Sequence, residues 1–285
     1  KRKDWCQNME EVRDIIKKFS PEQIKQYLDR IGMPPVKGPT REVLDELIYR
    51  HQCTIAFENL DSYDFHKEVC LDGDYLFQKI IQGTRGGYCL ELNGLFYRLV
   101  VSLGYDARPC FTRVLLGKND LRWPIDHRGT LVKLDGAEYF CDVGLGGPMP
   151  SGALNIETEE WQTFGDESFR VVPCMRGWLA IHRKTRIKQE VEPGKAPQTE
   201  RIEVVISDIA CFDTDFNFLN YYKSTKKESL FCAHRVFNLR IDGGYRSIRD
   251  DIYKEVTTKG LVTEKISEQL EEIEPLIKEK FNIEI

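Results

Sequence analysis

The sequence predicts an α+β protein built in three successive parts: helices, then an antiparallel sheet or barrel, then a smaller piece of mixed helix and strand. Three observations carry this prediction. Up to Gly104 the apolar residues recur at helical spacing, and from Cys110 onward the period drops to two. Further on, residues 187–200 are polar, with two prolines and one glycine, the composition of an exposed loop or a domain boundary. At 285 residues the chain can bury a substantial core without disulfides or metal.

The first helix follows Ser20-Pro21-Glu22-Gln23, a capping box with proline at the first helical position. It carries Ile24, Tyr27, Leu28 and Ile31 on one face before Gly32. A second helix runs from about Arg41 to His51, with Val43, Leu44, Leu47 and Ile48 aligned, and a third from Asp74 to Ile81 is stopped by Gly83. Arg85-Gly86-Gly87-Tyr88-Cys89 then turns into a strong helix from about Leu90 to Leu103. Its apolar stripe is Leu92, Leu95, Phe96, Leu99 and Val100, and Gly104 ends it. Cys110 to Leu116 reads as a strand, and Thr130–Leu134, Asp135-Gly136 and Ala137–Asp142 read as a hairpin with a two-residue turn. Another strand pair spans Ser168–Val172 and Trp178–Arg183. The last third mixes strands near 203–207 and 235–241, a helical stretch near 215–223, and a final helix from Thr263 to Phe281 that Pro275 kinks.

Composition narrows the class. Hydrophobic residues make up 41% and charged ones 31%, which excludes wholesale disorder. No run approaches the roughly 18 apolar residues of a membrane span, and the basic start Lys1-Arg2-Lys3 lacks the apolar stretch of a signal peptide. A net charge of −5 argues against a general nucleic-acid binder. Nine cysteines with no C-x-x-C pair, and no N-x-S/T sequon, fit reduced thiols in a cytoplasm better than a secreted disulfide framework. His66 with Cys70, and Cys232 with His234, are close but complete no four-ligand set, so no metal is expected.

Cys89 stands between a glycine turn and a helix start, where unpaired N–H groups and the positive end of the dipole favour thiolate. Taken alone it is as readily a small buried apolar residue. His127 begins one hairpin strand and Asp142 ends its partner. The two-residue turn sets His127 opposite residue 144, which makes Asp142 its neighbour at the open end. A carboxylate there can hold an imidazole tautomer and stabilise imidazolium, and the imidazole can keep a cysteine ionised. A histidine beside an aspartate by accident gives the same pair.

These residues resemble a known family. Arg85-Gly86-Gly87-Tyr88-Cys89-Leu90-Glu91-Leu92-Asn93 is similar to the RGG-x-C-x-E-x-N signature of the arylamine N-acetyltransferases. His127-Arg128-Gly129-Thr130-Leu131-Val132 and Asp142-Val143-Gly144-Leu145-Gly146-Gly147 resemble the next two motifs, at similar spacings from Cys89. Phe57-Glu58-Asn59-Leu60, in the stretch from His51 to Asp61, and Asn220-Tyr221-Tyr222-Lys223-Ser224-Thr225 with Ser229 and Phe231 resemble an earlier and a later one. The likeness extends from about residue 20 to 235 in five ordered motifs.

The resemblance implies an N-terminal helical bundle over residues 1–104, a central antiparallel β-barrel over 105–186, an interdomain segment over 187–202 and a C-terminal α/β lid over 203–285. This is a cysteine-proteinase-like arrangement with a Cys89–His127–Asp142 triad. It implies acetyl transfer from acetyl-CoA to arylamines, hydrazines or N-hydroxyarylamines. By carry-over, Phe57 and Leu145 contact the acceptor, and Trp123, Pro124, Gly146 and Tyr222 contact CoA. Leu145 stands where the family often has an aromatic, Ala56 where it has a proline, and Lys226-Lys227 where it has His-Pro. Lys223, Lys226 and Lys227 form a small basic cluster, suited to CoA phosphates or to a solvated helix face. A buried Arg85–Glu58 pair is expected to fix the turn that presents Cys89. Two alternatives stand: an amide synthase or thiol hydrolase using the same triad on another acyl donor, and a catalytically silent small-molecule-binding protein.

Overall fold

In the computed structural model, residues 14–118, 120–147, 149–185 and 200–285 are described. Helix α1 (Pro21–Arg30) is capped as expected: Ser20 Oγ accepts from the Gln23 amide at 3.2 Å, and Gln23 Oε1 accepts from the Ser20 amide at 2.9 Å. Helix α2 (Arg41–Thr54) turns Leu44, Leu47, Ile48, His51 and Gln52 inward. A two-residue strand β1 (Phe57–Glu58) and a short α3 (Leu60–Tyr63) follow. The helix expected over 74–81 is α4 (Gly73–Leu76) running into a π-helical turn, Phe77–Gln82, that ends at Gly83. Helix α5 (Cys89–Ser102) begins one residue earlier than the apolar stripe suggests, which makes Cys89 its first residue. Apart from α3, whose Leu60 packs in a second cluster with Phe237 and Phe281, these elements share one apolar core that includes Cys89 itself.

An eight-stranded antiparallel, barrel-like sheet comes next. Its strands are β2 (Asp106–Val114), β3 (His127–Leu134), β4 (Ala137–Cys141), β5 (Leu154–Asn155), β6 (Gln162–Phe164), β7 (Glu167–Met175), β8 (Trp178–Thr185) and β9 (Arg201–Ser207). The order across the sheet is β5-β4-β3-β2-β9-β8-β7-β6. Strand β2 begins four residues before the predicted one, because its first part is held by pairing with β3 and by Arg108 ion pairs to Glu138 and Asp208, not by apolar alternation. The β3–β4 hairpin has the predicted register, Leu134 facing Ala137 and Thr130 facing Cys141. Its turn takes Asp135 and Gly136 through φ of 51° and 81°, the type I′ pattern.

Two divisions drawn from the sequence shift. Strand β9 pairs with β2 and β8, so residues 201–207 complete the barrel, whereas the division by resemblance ends the barrel at 186. The rest of the segment at 187–202 falls almost wholly outside the described residues. In the last part, α6 (Phe216–Thr225) and α7 (Leu230–Ala233) precede a meander of β10 (Val236–Ile241), β11 (Gly244–Arg249), β12 (Ile252–Thr257) and β13 (Gly260–Lys265). The final helix α8 spans Leu270–Phe281, so Thr263 belongs to strand β13 and not to a helix. Strand β1 adds to β10, which stitches the N-terminal part onto the C-terminal sheet beside Cys89.

Candidate active site

The Arg85–Cys89 turn is built by close approach. The Gly87 carbonyl accepts from Glu58 N at 3.0 Å, and a Cβ on Gly86 would stand 2.0 Å from the Ala56 carbonyl oxygen. No side chain fits there. Tyr88 is extended as N-cap, and its amide donates to Glu91 Oε2 at 2.8 Å, so α5 opens at Cys89 with first-turn N–H groups directed out of the helix. The Asp142–Gly144 loop reaches this point from the barrel. A Cβ on Gly144 would meet Cys89 Cα and O at 3.0 Å each.

The structure brings Cys89, His127 and Asp142 together. His127 Nε2 lies 2.6 Å from Asp142 Oδ2, and Cys89 stands close enough to the same imidazole to raise its basicity. All three side chains are buried. Burial favours neutral imidazole, but Asp142 and Cys89 outweigh it and raise His127 to about 10. Burial works against the Asp142 carboxylate too, yet His127, Asn93 and the Gly144 amide keep it below its usual range. Both shifts favour the imidazolium–carboxylate form of the pair.

Asn93, which the sequence offers only as a letter in a motif, ties the three segments. Its Nδ2 donates to Asp142 Oδ1 at 2.9 Å and to the Arg128 carbonyl at 2.7 Å, and its Oδ1 accepts from Val143 N at 2.9 Å. Helix α5, strand β3 and the Asp142 loop thus meet on one amide. Gln52 adds a fourth tie from α2, donating to the Asp142 carbonyl at 2.8 Å.

Behind Cys89 lies a second charged assembly. Arg85 pairs with Glu58 at 2.8 Å and with Asp61 at 3.1 Å. Lys79, from the π-helical turn, pairs with Asp61 at 2.6 Å and Glu91 at 2.8 Å. Burial raises Glu91 to about 7, with Lys79 pulling it down and Glu58 pushing it up. Lys79 was detectable in the sequence as a lone charge inside the apolar run Phe77–Ile81, but its partners were not.

The remaining candidates separate into two groups. Trp123, Pro124 and Tyr222 line one cavity of about 680 Å³ together with Lys223, Leu230 and Phe231. Gly146 is not part of it: its backbone, at φ 79°, lies between Phe57 and Asn238. Phe57 is buried against Phe231, ring centres 5.6 Å apart, and Phe231 meets Tyr88 edge-on at 5.5 Å. Leu145 packs partly into the barrel core. The three lysines also part company: Lys223 is buried, while Lys226 and Lys227 are exposed. Among the described residues no group of His, Cys, Asp or Glu is arranged to hold a metal ion, and no helix is long and apolar enough to cross a membrane.

The sequence model of the N-acetyltransferase family matches residues 40–285. The chain belongs to the N-acetyltransferase family. It is 35% identical over 157 residues to an arylamine N-acetyltransferase / N-hydroxyarylamine O-acetyltransferase of Salmonella typhimurium, a stretch covering 55% of this chain and 56% of that protein. Over 163 residues, 56% of this chain and 62% of the other, it is 33% identical to proansamycin X synthase of Amycolatopsis mediterranei. The chain thus spans a little over half the length of the curated relatives it matches. The solved structure of Mycobacterium marinum arylamine N-acetyltransferase superposes with a TM-score of 0.81 at 26% identity, covering 91% of this chain and 92% of that one.

Proposed function

We propose that this N-acetyltransferase moves an acetyl group from acetyl-CoA to the nitrogen of arylamines or hydrazines, or to the oxygen of N-hydroxyarylamines, through an acetyl-cysteine on Cys89. The observation that carries the reading is the continuous buried line from Cys89 through His127 to Asp142, with Cys89 at a helix start. Cys89 thiolate attacks the thioester carbonyl, and the Cys89 amide, at the positive end of α5, is placed to donate to the developing oxyanion. As the C–S bond to CoA breaks, the His127 imidazolium gives its proton to the leaving thiolate. The neutral imidazole then takes a proton from the acceptor as its nitrogen or oxygen attacks the acetyl-cysteine. Collapse expels Cys89 as thiolate beside imidazolium again. Asp142 holds the tautomer and compensates the charge throughout.

The cavity lined by Trp123, Pro124 and Tyr222 suits the arm of CoA, with Lys226 and Lys227 exposed where phosphates can stay solvated. Phe57, with the Gly146 backbone against it, offers an apolar wall to an aromatic acceptor, and Leu145, the residue before Gly146, packs partly into the barrel core. A cytoplasmic setting agrees with eight unpaired cysteines among the described residues. Initial rates measured over a grid of both substrates test the scheme: parallel double-reciprocal lines are expected, and intersecting lines contradict it. A second reading, transfer from another acyl donor by the same three residues, is favoured by the likeness to a relative named a synthase.

A further inference from the structure

Lys223 is a buried cation that the reaction above leaves unused. It projects from α6 and is only 8% exposed. Its ammonium donates to the backbone carbonyl of Asp126 and lies 4.6 Å from the centre of the Phe231 ring. The Asp126 carboxylate is committed elsewhere: Oδ1 accepts from Val114 N at 2.8 Å and Oδ2 from the Trp123 indole at 2.9 Å. Ser229 and Cys232 engage only the Lys223 backbone carbonyl. No carboxylate of the described residues forms an ion pair with Lys223. A carbonyl and a ring face solvate an ammonium in part, but neither cancels its charge, and a charge out of water calls for a counter-ion.

The same side chain lines the 680 Å³ cavity, whose walls include Trp123, Leu219, Tyr222, Leu230 and Phe231. Other ionisable groups there do not answer it. His234 pairs with Asp250 at 2.8 Å, Lys118 lies 3.7 Å over the Trp123 ring, and Glu228 is exposed to solvent. Position fixes the rest. Asp126 precedes His127, so covalent geometry puts the ammonium within roughly 6 Å of the His127 Cα. Phe231, under that ammonium, abuts Tyr88, the residue before Cys89.

We propose that Lys223 is a specificity residue that receives a ligand carboxylate in this cavity, on an aromatic amine bearing a ring carboxylate or on an acyl group ending in one. The proposal rests on the acyl-transfer reading above and deepens it. CoA phosphates are the poorer match, since the pantetheine arm holds them away from the reacting thioester, whereas Lys223 stands beside the His127 segment.

Lys223→Met tests this, with kcat/KM measured in two paired series. One pairs 4-aminobenzoate with 4-aminobenzamide as acceptors for acetyl-CoA. The other pairs malonyl-CoA with acetyl-CoA as donors to a neutral aniline. The expected result is a fall of the anionic-to-neutral ratio by about 10- to 100-fold in one series, which also identifies the source of the carboxylate. Lys223→Arg, which keeps the charge, is expected to restore part of the ratio. Unchanged ratios in both series overturn the proposal, whether all rates fall alike, as a purely structural Lys223 requires, or only the KM for CoA donors rises, as a phosphate contact requires. Binding of benzoate against benzamide to wild type and Lys223→Met reads the same preference without chemistry. If the wild type transfers nothing yet prefers benzoate through Lys223, the acyl-transfer reading fails and the carboxylate site stands.

Discussion

Two buried charge assemblies flank Cys89, and they differ in closure. Behind the turn, Glu58, Asp61, Lys79, Arg85 and Glu91 pair with one another, so every charge there has an opposite charge as neighbour. In front, His127 has Asp142 on one ring nitrogen and Cys89 as its other close partner among the described residues. The closed assembly directs its charges at one another. The open one ends in a nucleophile. The difference teaches where a substitution should cost folding and where it should cost chemistry, although both sets adjoin the turn that carries Cys89.

The largest expected effect is on the open side. Asp142→Asn keeps the shape but removes the charge that holds imidazolium, and a loss of about a thousandfold or more in kcat is expected with melting temperature little changed. Steady-state rates on folded protein check it. A mild loss would mean that Asp142 is not the group that poises His127.

On the closed side, Arg85→Ala leaves Glu58, fully buried, without its guanidinium, at a cost of about 3–5 kcal/mol. Low soluble yield and a depressed melting temperature are expected, with near-normal turnover per folded molecule. A well-folded but inactive Arg85→Ala protein would erase the distinction between the two assemblies.

The smallest effect comes from a third buried group, His51 in α2. Its Nδ1 pairs with the Tyr27 hydroxyl at 2.8 Å, and burial, with help from Arg30, lowers it to about 3. A histidine held neutral on folding adds stability above its unfolded value near 6.5 and loses it as pH falls toward 3, by up to about 1.4 kcal/mol per pH unit. His51→Phe should flatten the acid limb of the stability curve by that slope. An unchanged limb, measured by denaturant midpoints between pH 6.5 and 4, would show that His51 takes up its proton without unfolding.

Local signals were legible where one short stretch contains its own reason. The Ser20 box, the glycine turn before Cys89 and the Asp135-Gly136 hairpin each specify geometry within a few residues, and the hairpin register alone predicted the meeting of His127 and Asp142. Signals that depend on distant partners were not. Strand β9 looks like the start of the next part because the polar stretch 187–200 separates it from β8, and its other neighbour, β2, is remote in sequence. Strand β13 is exposed along nearly its whole length, with Leu261 and Val262 turned to solvent, so no buried alternation marks it, and its residues read as helix. The partners of Asn93 and Lys79 were hidden for the same reason, since they come from separate elements.

The most direct test of the account is intact mass after brief incubation with acetyl-CoA and no acceptor, followed by peptide mapping. A single acetyl group on Cys89, absent from Cys89→Ser and discharged by an aromatic amine, is the predicted result. A folded protein that alkylates at Cys89 near pH 6 yet gains no acetyl group would contradict it and move the search to another acyl donor.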